Sequence, residues 1–118
     1  MRLTLVFVGL LSMISCGSSP VLYGESVPFE TLKDTAVALE DARSLVGTVT
    51  VSGEVGRVCD AGCWFYLMGS ADMVYVKLDL AAGLVIPPDS DGRMVLARGE
   101  FEGEGSSAEF RASTVALY

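Results

Sequence analysis

From Thr48 onward, apolar and polar positions alternate with a period of two. Val49, Val51 and Val55 are interleaved with Thr50, Ser52 and Glu54, the pattern of a half-buried strand. Gly53 and Gly56 interrupt it, and glycine inside a strand marks a bulge or a tight barrel bend. A second strand, Cys63–Met68, follows the triplet Asp60-Ala61-Gly62. Three residues ending in Gly suit a hairpin whose last loop residue is left-handed. A third strand runs from Met73 to Leu78, with Val74, Val76 and Leu78 facing one way and Met73, Tyr75 and Lys77 the other. The connector Ala81–Gly92 carries turn chemistry at Pro87-Pro88 and Asp89-Ser90-Asp91-Gly92. A fourth strand, Arg93–Glu102, is broken at Gly99, and a fifth, Glu109–Leu117, follows the turn Gly103–Ser107.

Only Thr31–Leu45 has helical spacing, through Ala36, Leu39, Ala42 and Leu45. Thr35 or Asp34 is placed to cap its start and Gly47 to end it. Five strands, a long glycine-bearing first strand and a connector between the third and fourth predict a mainly all-β chain. The expected architecture is a small five-stranded OB-like barrel with a short N-terminal helix. A five-stranded sandwich fragment is the runner-up. No internal repeat and no second domain is visible.

The first residues have a different character. Met1-Arg2 is a positive start, Leu3–Ile14 is almost wholly apolar, and Ser15-Cys16-Gly17 is small. The apolar run is too short for a span, which needs about 20 residues, and has the layout of a secretory signal. Met13-Ile14-Ser15-Cys16 resembles the lipobox of bacterial lipoproteins, with Met13 in place of the usual Leu; ordinary signal cleavage nearby is the alternative. The expected division is a signal over 1–15, a lipidated Cys16 and tether over 16–30, and the barrel over 31–118. Two or more acyl chains on Cys16 would hold the protein at a membrane. Gly17 after the cysteine fits the periplasmic face of the outer membrane in a two-membrane host. Export also implies an oxidising compartment.

Composition narrows the chemistry. The chain has 118 residues and a net charge of −7, from 8 Lys+Arg against 15 Asp+Glu, and it has no His. His-based triads, His–metal sites and histidine switches are excluded. The acidic balance argues against nucleic acid, whose phosphates need a basic footprint. Ser12, Ser19 and Ser44 have no His base, and Lys33 and Lys77 sit in no S-x-x-K pattern. Asp89 and Asp91 are paired carboxylates in a turn without an evident cleft, and Glu100-Phe101-Glu102-Gly103-Glu104 reads as a solvated turn. No catalytic activity is expected.

One chemical signal stands out. Cys59 and Cys63 flank the hairpin triplet, and once Cys16 is taken by the lipid they form an even pair. Opposed at the base of the turn, their Cβ atoms would lie within about 5.5 Å. The first reading is a structural disulfide, contributing only about 2 kcal/mol for so short a loop. A second keeps both as thiolates for Cu(I), with thioethers from Met68, Met73 or Met94 completing the shell. Two Cys without His make neither a typical zinc site nor an iron–sulfur site. Beyond Cu(I), no cofactor is expected. A third reading is thiol–disulfide exchange, although a hairpin lacks the helix N-terminus that lowers thiol pKa in C-x-x-C proteins.

Val58-Cys59, Gly62-Cys63-Trp64 and the preceding Gly47, Val49, Val51, Gly53 and Val55, with Pro88-Asp89-Ser90-Asp91-Gly92 later on, together resemble a bacterial domain family of unknown function, numbered 4920. The likeness spans roughly Leu45 to Gly99. Where that family often has lysines in the cysteine loop, this chain has Asp60-Ala61. The resemblance implies an exported or lipoprotein location and an OB-like barrel, and carries over no activity.

The second and third strands also present Trp64, Tyr66, Tyr75 and Lys77. That is the face on which OB-folds bind oligonucleotides and oligosaccharides, so the aromatics are candidates for a stacking platform, with packing over the barrel as the plainer reading. Without surrounding cations the expected occupant is a neutral ligand or a protein segment. The sequence as a whole reads as an exported, lipid-anchored binding or accessory module.

Overall fold

A computed structural model describes residues 19–118; the expected signal and Cys16 lie outside the described residues. Five strands close the barrel: β3 (Val49–Val58), β4 (Trp64–Met68), β5 (Met73–Leu78), β6 (Met94–Glu102) and β7 (Glu109–Leu117). Hydrogen-bonded neighbours run β3-β4-β5-β7-β6 and back to β3, all antiparallel except β5 with β7. This is the OB order, and the expected fold class is the observed one.

The period-two pattern fills the interior as predicted. Val51, Val55, Phe65, Leu67, Val76, Val95, Phe110 and Leu117 are buried in one cluster. Burial of each such side chain contributes about 1.5–3 kcal/mol. Leu84 and Ile86 from the connector join this core, so that segment is packed structure as well as turn chemistry. Gly99 lies within a continuous β6, at a register shift against β7. A Cβ there would strike the Arg111 carbonyl, so the glycine lets the two strands close on each other without ending either.

The N-terminal part departs from expectation twice. Thr31–Leu45 is not one helix: α1 covers Phe29–Thr35, β2 covers Ala36–Ala38 and α2 covers Leu39–Ala42. Ala36, Val37 and Ala38 pair in parallel with Thr50, Val51 and Ser52, and this tertiary ladder overrides the helix propensity of an alanine- and leucine-rich segment. Thr35 caps no start, because its hydroxyl donates back to the Thr31 carbonyl at 2.8 Å. Residues 16–30 are also not all tether. β1 (Val21–Gly24) pairs antiparallel with the Thr114–Leu117 half of β7, on the side that β5 serves over Phe110–Ala112.

These additions cover edges that would otherwise be open. Leu32 of α1 packs on Leu96 and Ala116 outside the barrel, while Leu39 and Ala42 of α2 join the main core. Thr50, which the alternation places outward, is buried under this cover, its hydroxyl in contact with those of Thr35 and the guanidinium of Arg98. No helix among the described residues is long and apolar enough to cross a membrane.

Candidate functional site

The cysteine hairpin begins where β3 ends. Cys59 N–H donates to the Trp64 carbonyl at 2.9 Å and Gly62 N–H to the Cys59 carbonyl at 2.8 Å. Gly62 takes φ +75°, the left-handed loop position that the triplet predicts. The connector seals this turn, with Ile86 N–H donating to the Gly62 carbonyl at 3.1 Å.

Cys59 and Cys63 are free, half-buried thiols here, in place of the expected disulfide. The backbone hydrogen bonds alone close the hairpin, and the sulfurs meet as donor and acceptor. Cys63 S–H hydrogen-bonds the Cys59 sulfur, and backbone N–H groups of Cys63 and Ala61 add to it, holding the Cys59 thiol below its ordinary range. The Ala61 contact measures 3.4 Å. The same sulfur–sulfur hydrogen bond, with burial, pushes the Cys63 thiol up. Loop amides thus favour the Cys59 thiolate in a hairpin that has no helix N-terminus.

The idea that Met68 and Met73 complete a sulfur shell around the cysteines is corrected by topology. Cys63 precedes β4 and Met68 ends it; five residues at about 3.3 Å each set them roughly 16 Å apart. Met73 opposes Met68 across the other hairpin. The cysteines keep two soft donors between them, and no group of three or more His, Cys, Asp or Glu stands at metal-binding distance among the described residues.

The aromatic residues do come together. With Phe65, Leu67, Val74 and Val76 turned inward, the pleat sends Trp64, Tyr66, Tyr75 and Lys77 to the outer face. Trp64 opposes Lys77, and Tyr66 opposes Tyr75. Ring centroids lie 5.6 Å apart for Trp64–Tyr66, 5.5 Å for Trp64–Tyr75 and 5.8 Å for Tyr66–Tyr75, within the range of favourable aromatic pairs. All three rings are half-buried. Burial, followed by the charge of Glu109, pushes the Tyr75 hydroxyl up.

Lys77 is already occupied. Its ammonium stands 2.9 Å from Glu102 and 3.3 Å from Glu109, and Glu102 also takes Arg111 at 2.7 Å. These carboxylates push the Lys77 ammonium up and Lys77 holds Glu102 down. Glu102, expected in a solvated turn, is therefore part of this face. The sequence offers no signal for that, because the parallel β5–β7 register brings Lys77 beside Arg111. Elsewhere, Ser44 donates to the Asp41 carbonyl, and Asp89 and Asp91 are exposed.

No family model matches the chain, and no curated protein does. Among solved structures the fold is similar to that of the hypothetical protein ygiW from E. coli, with a TM-score of 0.52 and 18% identity. The match covers 70% of this chain and 89% of that one. At this identity the likeness concerns the fold alone.

Proposed function

We propose that this protein is an exported, lipid-anchored binding module whose barrel takes a neutral ligand on the outer face of β4 and β5. The observation that carries this reading is the Trp64–Tyr66–Tyr75 group, three half-buried rings with centroids 5.5–5.8 Å apart on the outer face of β4 and β5. Rings of this kind stack on the apolar faces of sugars or on extended peptide. The ion pairs of Lys77 and Arg111 with Glu102 leave no spare cation there, which favours a neutral glycan or protein segment over an anion. The envelope location rests on Met1–Cys16, with acylated Cys16 as the membrane anchor.

Trp64 is the chain's one tryptophan, so its fluorescence reports on this face directly. Titration with neutral oligosaccharides and with uncharged extended peptides is expected to give a saturable spectral shift with one of these classes, lost in Tyr75→Ala. No shift with either class would overturn the reading.

The amide cradle around Cys59 favours a second reading, thiol–disulfide exchange. Cys59, the more acidic thiol, would attack a partner disulfide, and Cys63 would then resolve the mixed disulfide, releasing the partner reduced and leaving Cys59–Cys63 oxidised. Cu(I) bound by the pair alone would be two-coordinate. Disulfide reduction no faster than that of a Cys59→Ser/Cys63→Ser variant would remove the exchange reading.

A further inference from the structure

Among the described residues, every methionine stands on one face of the barrel. The chain has five; Met1 and Met13 lie outside the described residues, and Met68, Met73 and Met94 remain. None of the three is in the core, although filling irregular core gaps is methionine's usual use. They are 37%, 45% and 44% exposed.

Strand register sets them in a row. Met73 opposes Met68 across β5 and β4; Glu54 of β3 opposes Met68 on one side and Met94 of β6 on the other. The order across four strands is Met73, Met68, Glu54, Met94, with neighbours about 4.8 Å apart. Gly56 leaves the sheet surface bare beside them, and the Met68 thioether lies over it: a Cβ at Gly56 would be 3.0 Å from Met68 Sδ. Met68, Glu54 and Met94 also line a shallow groove of about 320 Å³ with Glu40. Glu40 is engaged, accepting from Ala71 N–H at 3.1 Å and held below the usual carboxylate range chiefly by that bond.

We infer that Met68 and Met94, on either side of the Glu54 carboxylate, with Met73 beside Met68, form a binding site for a soft monovalent cation of the Cu(I) or Ag(I) class. Thioethers are soft donors that select such ions. Met68 and Met73 face each other directly, and the flexible Met94 side chain has only Glu54 to lean across. One carboxylate neutralises one positive charge. A hard divalent ion, which wants six or more oxygens, finds one unengaged carboxylate here, since Glu40 is held by Ser70 and Ala71. The row lies at the β4–β5 hairpin, at the opposite end of β4 from Cys59 and Cys63, so this site is independent of the thiols; Met68 and Met73 are the next outward pair after Tyr66 and Tyr75, so it borders the proposed ligand face.

The test uses the full chain in detergent with Cys16, Cys59 and Cys63 replaced by Ser, so that no thiol competes. Ag(I), which needs no reductant, is titrated while the methionine methyl signals are followed by NMR. One Ag(I) per chain is expected to bind saturably, moving the Met68, Met73 and Met94 methyl signals together. Met68→Leu and Met94→Leu keep volume and surface position, and each is expected to weaken binding by roughly tenfold or more, with unchanged circular dichroism. No saturable uptake, or uptake that both Leu variants leave unchanged, would overturn the site.

Discussion

Gly62 and Ile86 lock the cysteine hairpin to the connector: the Gly62 carbonyl accepts the Ile86 amide at 3.1 Å, and a Cβ on Gly62 would collide with the Ile86 carbonyl. Two segments far apart in sequence thus touch backbone to backbone, with a buried Ile86 side chain anchoring the contact in the core. Gly62→Ala imposes a left-handed penalty of roughly 1–2 kcal/mol on top of that collision. We expect a loss of stability above about 2 kcal/mol in urea unfolding. An unchanged midpoint would contradict the seating of Ile86 on the turn.

The two thiols should differ in reactivity. Cys59 is stabilised as thiolate by the Cys63 S–H and by loop amides, and Cys63 is disfavoured by the same bond. Iodoacetamide labelling followed by mass spectrometry should therefore modify Cys59 first as pH rises. Cys63→Ala removes the leading donor and should shift Cys59 labelling to higher pH. Equal labelling of both thiols in the unaltered protein would count against the cradle.

Acid stability should depend on Arg43 and Asp72. The Arg43 guanidinium, which hydrogen-bonds both oxygens of Asp72, holds that carboxyl below its ordinary range and ties the end of α2 to the β4–β5 turn. A lowered carboxyl stabilises the fold fully above its unfolded pKa, near 4. The contribution is lost as pH falls through the folded value. Asp72→Asn should thus cost roughly 0.5–1 kcal/mol at neutral pH, given the pair's partial exposure. In thermal melts the difference from the unaltered protein should vanish toward pH 2. A difference that persists there would assign the effect to something other than the ion pair.

β1 should behave as part of the barrel. Its four residues pair with Thr114–Leu117, and removing the chain before Glu25 exposes that half of β7 to water on one side. Amide hydrogen exchange in Thr114–Leu117 should quicken in the truncated protein, while β4 and β5 stay protected. Unchanged protection in β7 would return Val21–Gly24 to the status of a tether.

Much of the barrel was legible from local pattern alone. Alternation sends Val74, Val76 and Leu78 inward and Tyr75 and Lys77 outward whatever the rest of the chain does, because a strand's period of two is a property of its backbone. For the same reason Met73–Leu78 and Glu109–Leu117 have the bounds expected of them. The Gly62 turn was legible too, since only its position after a two-residue loop start and its missing Cβ were needed. The aromatic face follows from alternation on two adjacent strands joined by a short hairpin.

What only the tertiary structure decided is who meets whom across long separations. Ala36–Ala38 has helical spacing with its neighbours, yet a β3 edge fourteen residues away offers it a parallel ladder. Leu84 and Ile86 sit among turn residues, and their burial depends on a gap in the core left by other strands. The parallel β5–β7 register brings Glu102 and Glu109 to Lys77 and so takes charge away from the aromatic face. Closure of β3 against both β4 and β6 places Glu54 between Met68 and Met94. The sequence determines each strand's two faces locally; barrel closure chooses the neighbours on each face, because that choice depends on hydrogen-bond register between strands that local pattern does not encode.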